Sequence, residues 1–87
     1  MPFERDWLPS PAQYYPGELA RYRHVNRKAT ALCPFHDDTR HSLSIDLDRG
    51  AFYCFACGER GRDVLDFHRK RYYLGFTDAA KQLGAWR

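Results

Sequence analysis

Four residues able to bind a soft cation stand in two pairs: Cys33-Pro34-Phe35-His36, then Cys54-Phe55-Ala56-Cys57-Gly58 after 17 intervening residues. A two-residue gap lets both ligands of a tight turn reach one tetrahedral ion at about 2.0 to 2.3 Å, the usual distances for zinc bound by imidazole and thiolate. Gly58 can take the positive φ that lets backbone amides turn back towards the thiolates. Thiolates with an imidazole select Zn2+ over Mg2+ or Ca2+. Cys33, His36, Cys54 and Cys57 are therefore the expected ligands of one Zn2+. Four protein ligands leave no position for an activated water, so the ion is expected to be structural, with about 10 to 16 kcal/mol of binding energy available to folding.

Other chemistry is thinner. Three cysteines are an odd number for a disulfide framework, and Cys54-x2-Cys57 lacks the βαβ surroundings of a thioredoxin-like redox pair. His24, His41 and His68 have no partner at ligand spacing and read as surface or packing residues, with His41 the one substitute available for His36. Asp37-Asp38 and Asp46-x-Asp48 resemble magnesium-binding clusters, but both fall where turn chemistry accounts for them. No nucleophile, general base or open metal site is evident, so the chain is not expected to be an enzyme on its own.

Several elements must position the ligands. Leu43, Ile45 and Leu47 alternate with Ser42, Ser44 and Asp46, the signature of a half-buried strand. Asp48-Arg49-Gly50 turns the chain, and Ala51 to Phe55 returns it as a hairpin. Arg27 to Leu32 reads as a strand entering Cys33. From Asp63, the expected N-cap or first-turn acid, the period becomes helical through Val64, Leu65, Phe67, His68 and Tyr72, with Gly75 as its stop. A second short helix runs from Thr77 or Asp78 to Leu83, ended by Gly84. The fold expected is small α+β: a zinc ribbon, that is, a short antiparallel β-sheet with a zinc knuckle, followed by two helices. Residues 1–17 hold four of the five prolines and read as an extended arm packed by Trp7, Tyr14 and Tyr15; Glu18 to His24 reads as one helical turn. The division is a proline-rich arm at 1–17 and a zinc-ribbon domain with C-terminal helices at 18–87.

At 87 residues and a mean hydropathy of −0.71, the chain has a thin core, and domains of this size usually add a metal or a partner. The longest apolar run, Ala51 to Cys57, is seven residues against about 20 needed to span a bilayer. The first residues carry acids and no apolar stretch, so the expectation is a cytoplasmic protein with no membrane partner. Basic residues cluster at Arg21, Arg23, Arg27 and Lys28 and again at Arg60, Arg62, Arg69, Lys70 and Arg71. Aromatics Phe52, Tyr53 and Phe55 lie among Arg40, Arg49, Arg60 and Arg62, the combination of stacking platform and electrostatic groove that single strands use. Alternation puts Phe52 and Cys54 on one face and Tyr53 and Phe55 on the other, with Tyr53 outward.

Thr30 to Gly84 resembles the CHC2 zinc-binding domain of bacterial and phage DnaG-type DNA primases. Four motifs carry the likeness: Cys33-Pro34-Phe35-His36-Asp37-Asp38, Ser42-Leu43-Ser44-Ile45, Phe52-Tyr53-Cys54-Phe55-Ala56-Cys57-Gly58 and Gly61-Arg62-Asp63-Val64-Leu65-Asp66-Phe67. The resemblance implies that Cys33, His36, Cys54 and Cys57 hold zinc and that the sheet face and neighbouring basic residues touch single-stranded template DNA. Where the family has Glu-Lys-Thr-Pro-Ser after the histidine, this chain has Asp38-Thr39-Arg40-His41-Ser42, so template preference does not carry over. With no room before Arg87 for the catalytic domains of a primase, the chain resembles small free-standing CHC2 proteins of phages, plasmids and integrated elements. The expected role is a DNA-binding module serving replication or priming of such an element. The competing expectation is a ribbon that docks on a helicase, a primase catalytic subunit or a transcription complex, to which the basic helix face Arg69-Lys70-Arg71 is equally suited.

Overall fold

The computed structural model describes residues 2–87. A single 3-10 turn, Arg5–Trp7, precedes helix α1 at Pro11–Glu18. Strands β1 (Arg23–Val25), β2 (Lys28–Ala31), β3 (Leu43–Asp46), β4 (Phe52–Cys54) and β5 (Arg60–Gly61) follow, then α2 (Val64–Tyr72) and α3 (Phe76–Gln82). The strands form one antiparallel meander in chain order, so every neighbour in sequence is a neighbour in the sheet.

One face of that sheet is apolar. Ala29, Ala31, Leu43, Ile45, Phe52 and Cys54 point inward, and α2 lays Phe67 against them. The Phe67 ring meets Phe52 and Tyr15 edge-on at 5.2 Å each and Phe35 at 5.6 Å. Such aromatic pairs are worth about 0.5 to 1.5 kcal/mol beyond the area they bury, which matters in a core this small. Gly61 is required here, because a Cβ would lie 2.5 Å from the Phe52 ring and 2.8 Å from the Asp66 Cβ. Asp63 caps α2 as expected, its carboxylate accepting from the Asp66 amide at 2.9 Å.

Three expectations are corrected. The segment read as an extended arm contains α1, with Ser10 as its cap and Pro11 at a first-turn position where a missing N–H costs nothing. Pro16 interrupts the helix interior, but the buried Tyr14 and Tyr15 hold it: the Tyr15 hydroxyl donates to the Gly50 carbonyl at 2.5 Å, and the Tyr14 hydroxyl meets His68 Nδ1 at 2.7 Å. Residues 18–24 are not a helical turn. Glu18 ends α1, Leu19 is extended and buried, Arg21 turns with φ 55°, and the chain enters β1, whose three residues are all exposed and so show no alternation to read. Finally, α2 stops at Tyr73, with φ 56° and ψ 46°, rather than at Gly75, which instead precedes α3. The Tyr73 and Leu74 amides both donate to the Arg69 carbonyl, a Schellman-type closure in which glycine is the usual left-handed residue.

Both ends of the described chain meet. Phe3 and Trp86 form an antiparallel bridge, the Glu4 amide donates to Ala85 at 2.8 Å and the Arg87 amide to Pro2 at 2.9 Å. Beneath them Leu65, Ala79 and Ala80 make a second small core with Phe3, Leu74 and Phe76.

Candidate functional site

One of the four soft donors closes a strand and three sit in loops or turns. Cys33 follows β2, His36 lies in the loop to β3, Cys54 closes β4, and Cys57 sits on the turn before β5. All four donor atoms lie within 4.8 Å of one another. Cys33 Sγ stands 3.8 Å from Cys57 Sγ, and His36 Nε2 stands 3.3 Å from Cys54 Sγ. A disulfide would need about 2.05 Å; a tetrahedral zinc with bonds of about 2.3 Å separates its sulfurs by about 3.8 Å. The separation of Cys33 and Cys57 is that of two ligands on one ion, and the four residues fit a single zinc.

Their protonation needs point the same way. Burial pushes the Cys33 thiol up to about 12, aided by hydrogen bonds with Cys54 and Cys57 against the opposing Phe35 amide. Burial also acts to raise Cys54, but amide donors at Cys57 and Ala56 and its thiol neighbours overcome it and bring Cys54 down to about 7. His36 is raised, chiefly by its hydrogen bond to Cys54. Crowded together, Cys33, Cys54 and His36 compete for protons. A divalent cation resolves that competition, and its binding releases protons.

The surrounding backbone fixes the donors. At the knuckle the Cys57 amide faces Cys54 Sγ at 3.4 Å, the Gly58 amide donates to the Cys54 carbonyl at 2.9 Å, and Gly58 takes φ 79°. Asp38 organises the other loop. Its Oδ2 accepts from the amides of Cys33 (2.9 Å) and Ser42 (2.8 Å), and its Oδ1 from the Arg40 amide (3.0 Å) and the Ser42 hydroxyl (3.1 Å). These donors, the Cys33 amide foremost, hold the carboxyl well below the usual carboxylate range. Asp48 and Asp46 likewise make a turn contact, the Asp48 amide donating to Asp46 Oδ1 at 2.9 Å. His41 is outside the cluster, and His68 is buried between Tyr14 and Gln82.

The sheet's second face is open and polar. Register aligns Arg23 with Thr30, Thr30 with Ser44, Ser44 with Tyr53 and Tyr53 with Arg60, so these five residues form one row across all five strands. Tyr53 stands at 41% exposure, and the Phe55 ring, 74% exposed, leans edge-on against it at 5.0 Å. Shallow grooves flank Tyr53, one reaching Lys28 and Ser44, the other Arg60 and Arg62. Arg62 also pairs with Asp66 at 3.4 Å. Arg40 is exposed on the ligand loop. Arg49 sits on the β3–β4 turn and lines a groove with Arg5 and Asp63 that shares no residue with those beside Tyr53. Arg23, Lys28 and Ser44 extend the face beyond the residues picked from sequence. The alternation Lys28-Ala29-Thr30-Ala31 could have placed Lys28 there; Arg23 lies on the strand without a pattern.

Comparison with known proteins gives a consistent answer. Residues 18–86 match the family model described as the CHC2 zinc finger. A DNA primase of Lactococcus lactis is 38% identical over 52 residues, covering 60% of this chain and 8% of that protein. A DNA primase of Clostridium acetobutylicum is 35% identical over 66 residues, covering 76% of this chain and 11% of that protein. The crystal structure of the Aquifex aeolicus primase, zinc-binding and RNA polymerase domains, superposes with a TM-score of 0.75 at 25% identity over 87% of this chain and 18% of that one. The chain thus spans about a tenth of the length of the curated relatives it matches.

Proposed function

The chain belongs to the CHC2 zinc-finger family, the zinc ribbon of DnaG-type primases, and from that premise we propose that it is a structural-zinc module that binds single-stranded DNA in the replication or priming of a phage or mobile element. Cys33, His36, Cys54 and Cys57 hold the ion, which stiffens the ribbon and does no chemistry, because four protein ligands fill a tetrahedral sphere. The module works in the cytoplasm and catalyses nothing by itself. No helix among the described residues is long and apolar enough to cross a membrane.

The observation that carries this reading is the cross-strand row with arginines at both ends, Ser44 at its centre and Tyr53 beside Arg60. Strands about 4.8 Å apart make the row about 19 Å long, enough for several nucleotides. Bases stack on Tyr53 and Phe55, whose π faces accept any base, while Arg23, Lys28 and Arg60 neutralise phosphates. Affinity should therefore fall with salt and vary little with sequence.

Fluorescence anisotropy of labelled single-stranded and duplex oligonucleotides, with zinc-loaded protein over a salt series, tests it. The expected result is preference for the single strand, a negative salt slope, and a loss of about tenfold or more when Tyr53→Ala and Arg60→Ala are combined, since stacking alone is worth about 1 to 3 kcal/mol per base. Absence of binding at roughly 100 µM protein and low salt, the weak end of sequence-independent binding, would overturn it.

A further inference from the structure

The basic and aromatic residues of α2 are not accounted for by the row on the sheet. The groove beside Tyr53 and Arg60 ends at Arg62 and Asp66, and a second groove begins at Asp66 and continues along Arg69 and Lys70 to Leu74. Asp66, Arg69 and Lys70 follow the i, i+3, i+4 spacing of one helix face, and Tyr73, the left-handed residue that ends the helix, adjoins Leu74 at the end of that groove. The two grooves therefore meet at Asp66, which packs against Gly61 of β5, a two-residue edge strand. Lys70 lies on the β5 side of the helix, with Nζ 3.9 Å from a Glu59 carboxylate oxygen, an exposed pair that costs little to open. The Asp66 charge is engaged by the Arg62 amide at 3.0 Å and by its guanidinium at 3.4 Å.

Tyr73 carries the second part of the argument. It is 94% exposed and holds a left-handed backbone that side-chain-bearing residues seldom adopt, at a capping position where glycine is the usual choice. The negative end of the helix dipole explains cations in the last turn of α2. It does not explain a fully exposed aromatic ring beside them.

We propose that the single-strand path does not end at the sheet but crosses β5 and continues along α2, with Arg62, Arg69 and Lys70 taking phosphates and Tyr73 stacking a base. The inference rests on the sheet-face reading above. Four cations, Arg60, Arg62, Arg69 and Lys70, face two acids, Glu59 and Asp66, so the path keeps the sign a phosphate backbone needs.

The test compares oligothymidylates of about 5 and about 15 nucleotides, within the range of about 4 to 16 that single-strand folds occupy. Zinc-loaded wild type, Arg69→Gln/Lys70→Gln and Tyr73→Gly are titrated over a salt series. The expected result is unchanged binding of the short strand by both variants. For the long strand, the double variant should lose several-fold in affinity, and its log–log salt slope should flatten by about 1.4, or about 0.7 for each phosphate released. Tyr73→Gly should weaken the long strand about fivefold or more while its thermal midpoint stays level or rises, because glycine relieves the left-handed backbone; loss of binding is then not loss of fold. Variants that bind both lengths as the wild type does would overturn the extended path, leaving the stripe to an acidic protein surface. Failure of the wild type to bind either length would instead remove the sheet-face reading and this one with it.

Discussion

Asp38 supplies no donor atom to the cysteine and histidine cluster, yet it ties the Cys33 amide to Arg40 and Ser42 through two oxygens that each accept twice. Asparagine has one carbonyl oxygen, so Asp38→Asn turns an NH2 group towards backbone or hydroxyl donors whichever way it sits. We expect a loss of about 1 to 3 kcal/mol in the zinc-bound protein and faster zinc transfer to a chromogenic chelator, measured by denaturant melts and stopped flow. The pH dependence follows from the sign of the shift. A carboxyl held below its ordinary value of about 3.9 contributes stability that is fully present above that value and lost only as pH falls further, towards the folded value. The stability difference between wild type and Asp38→Asn should therefore be the same at pH 6 and pH 8. Zinc release, by contrast, should set in at higher pH than Asp38 titrates, as His36 and the thiolates regain protons; a difference that changes between pH 6 and 8 would show that Asp38 acts through the metal rather than through the loop.

At the scale of elements, α1 is part of the core. Tyr15 is fully buried and bonded to Gly50, and Tyr14 reaches His68 and Phe67 across to α2. Removing residues 2–18 would bare Phe67 and strip Gly50 of its donor, so the truncated chain should lack the near-ultraviolet dichroism of packed aromatics even with zinc. Tyr15→Ala alone should cost about 3 to 5 kcal/mol in a urea melt. The sequence marked those tyrosines as packing residues but offered no helix, because four prolines in seventeen residues outweigh an eight-residue period. Elements with a strong pattern were legible: the alternation of Leu43 and Ile45 gave β3, and Asp63 gave the start of α2. β1 and β5 were not, being three and two residues long with no buried alternation to read, and they exist because β2 and β4 offer open edges. The ligand pairs were legible because coordination at fixed spacing is written locally. The row on the open face was only partly so, since it depends on register between strands that sequence did not reveal, and Arg49 illustrates the gap by lying in a different groove.

At the scale of the whole molecule, two small clusters of buried side chains and one metal site among the described residues share the work of folding. The larger cluster includes Cys33 and Cys54, so the metal site and the apolar core are one structure. Stripping the ion with a chelator at neutral pH should therefore unfold the sheet and α2 together, seen as a single transition in far-ultraviolet dichroism that re-added zinc reverses. Loss of the knuckle alone, with the α2 signal retained, would show instead that the aromatic core stands without the metal. Such a molecule also has a direction in which it is weak. Since the strand at Phe3 runs antiparallel to that at Trp86, with only a few backbone bonds between them, a pull applied through the two ends loads those bonds one after another instead of all at once. Held in an optical trap, the protein should open there at low force, like a zipper, with the ribbon still closed behind it.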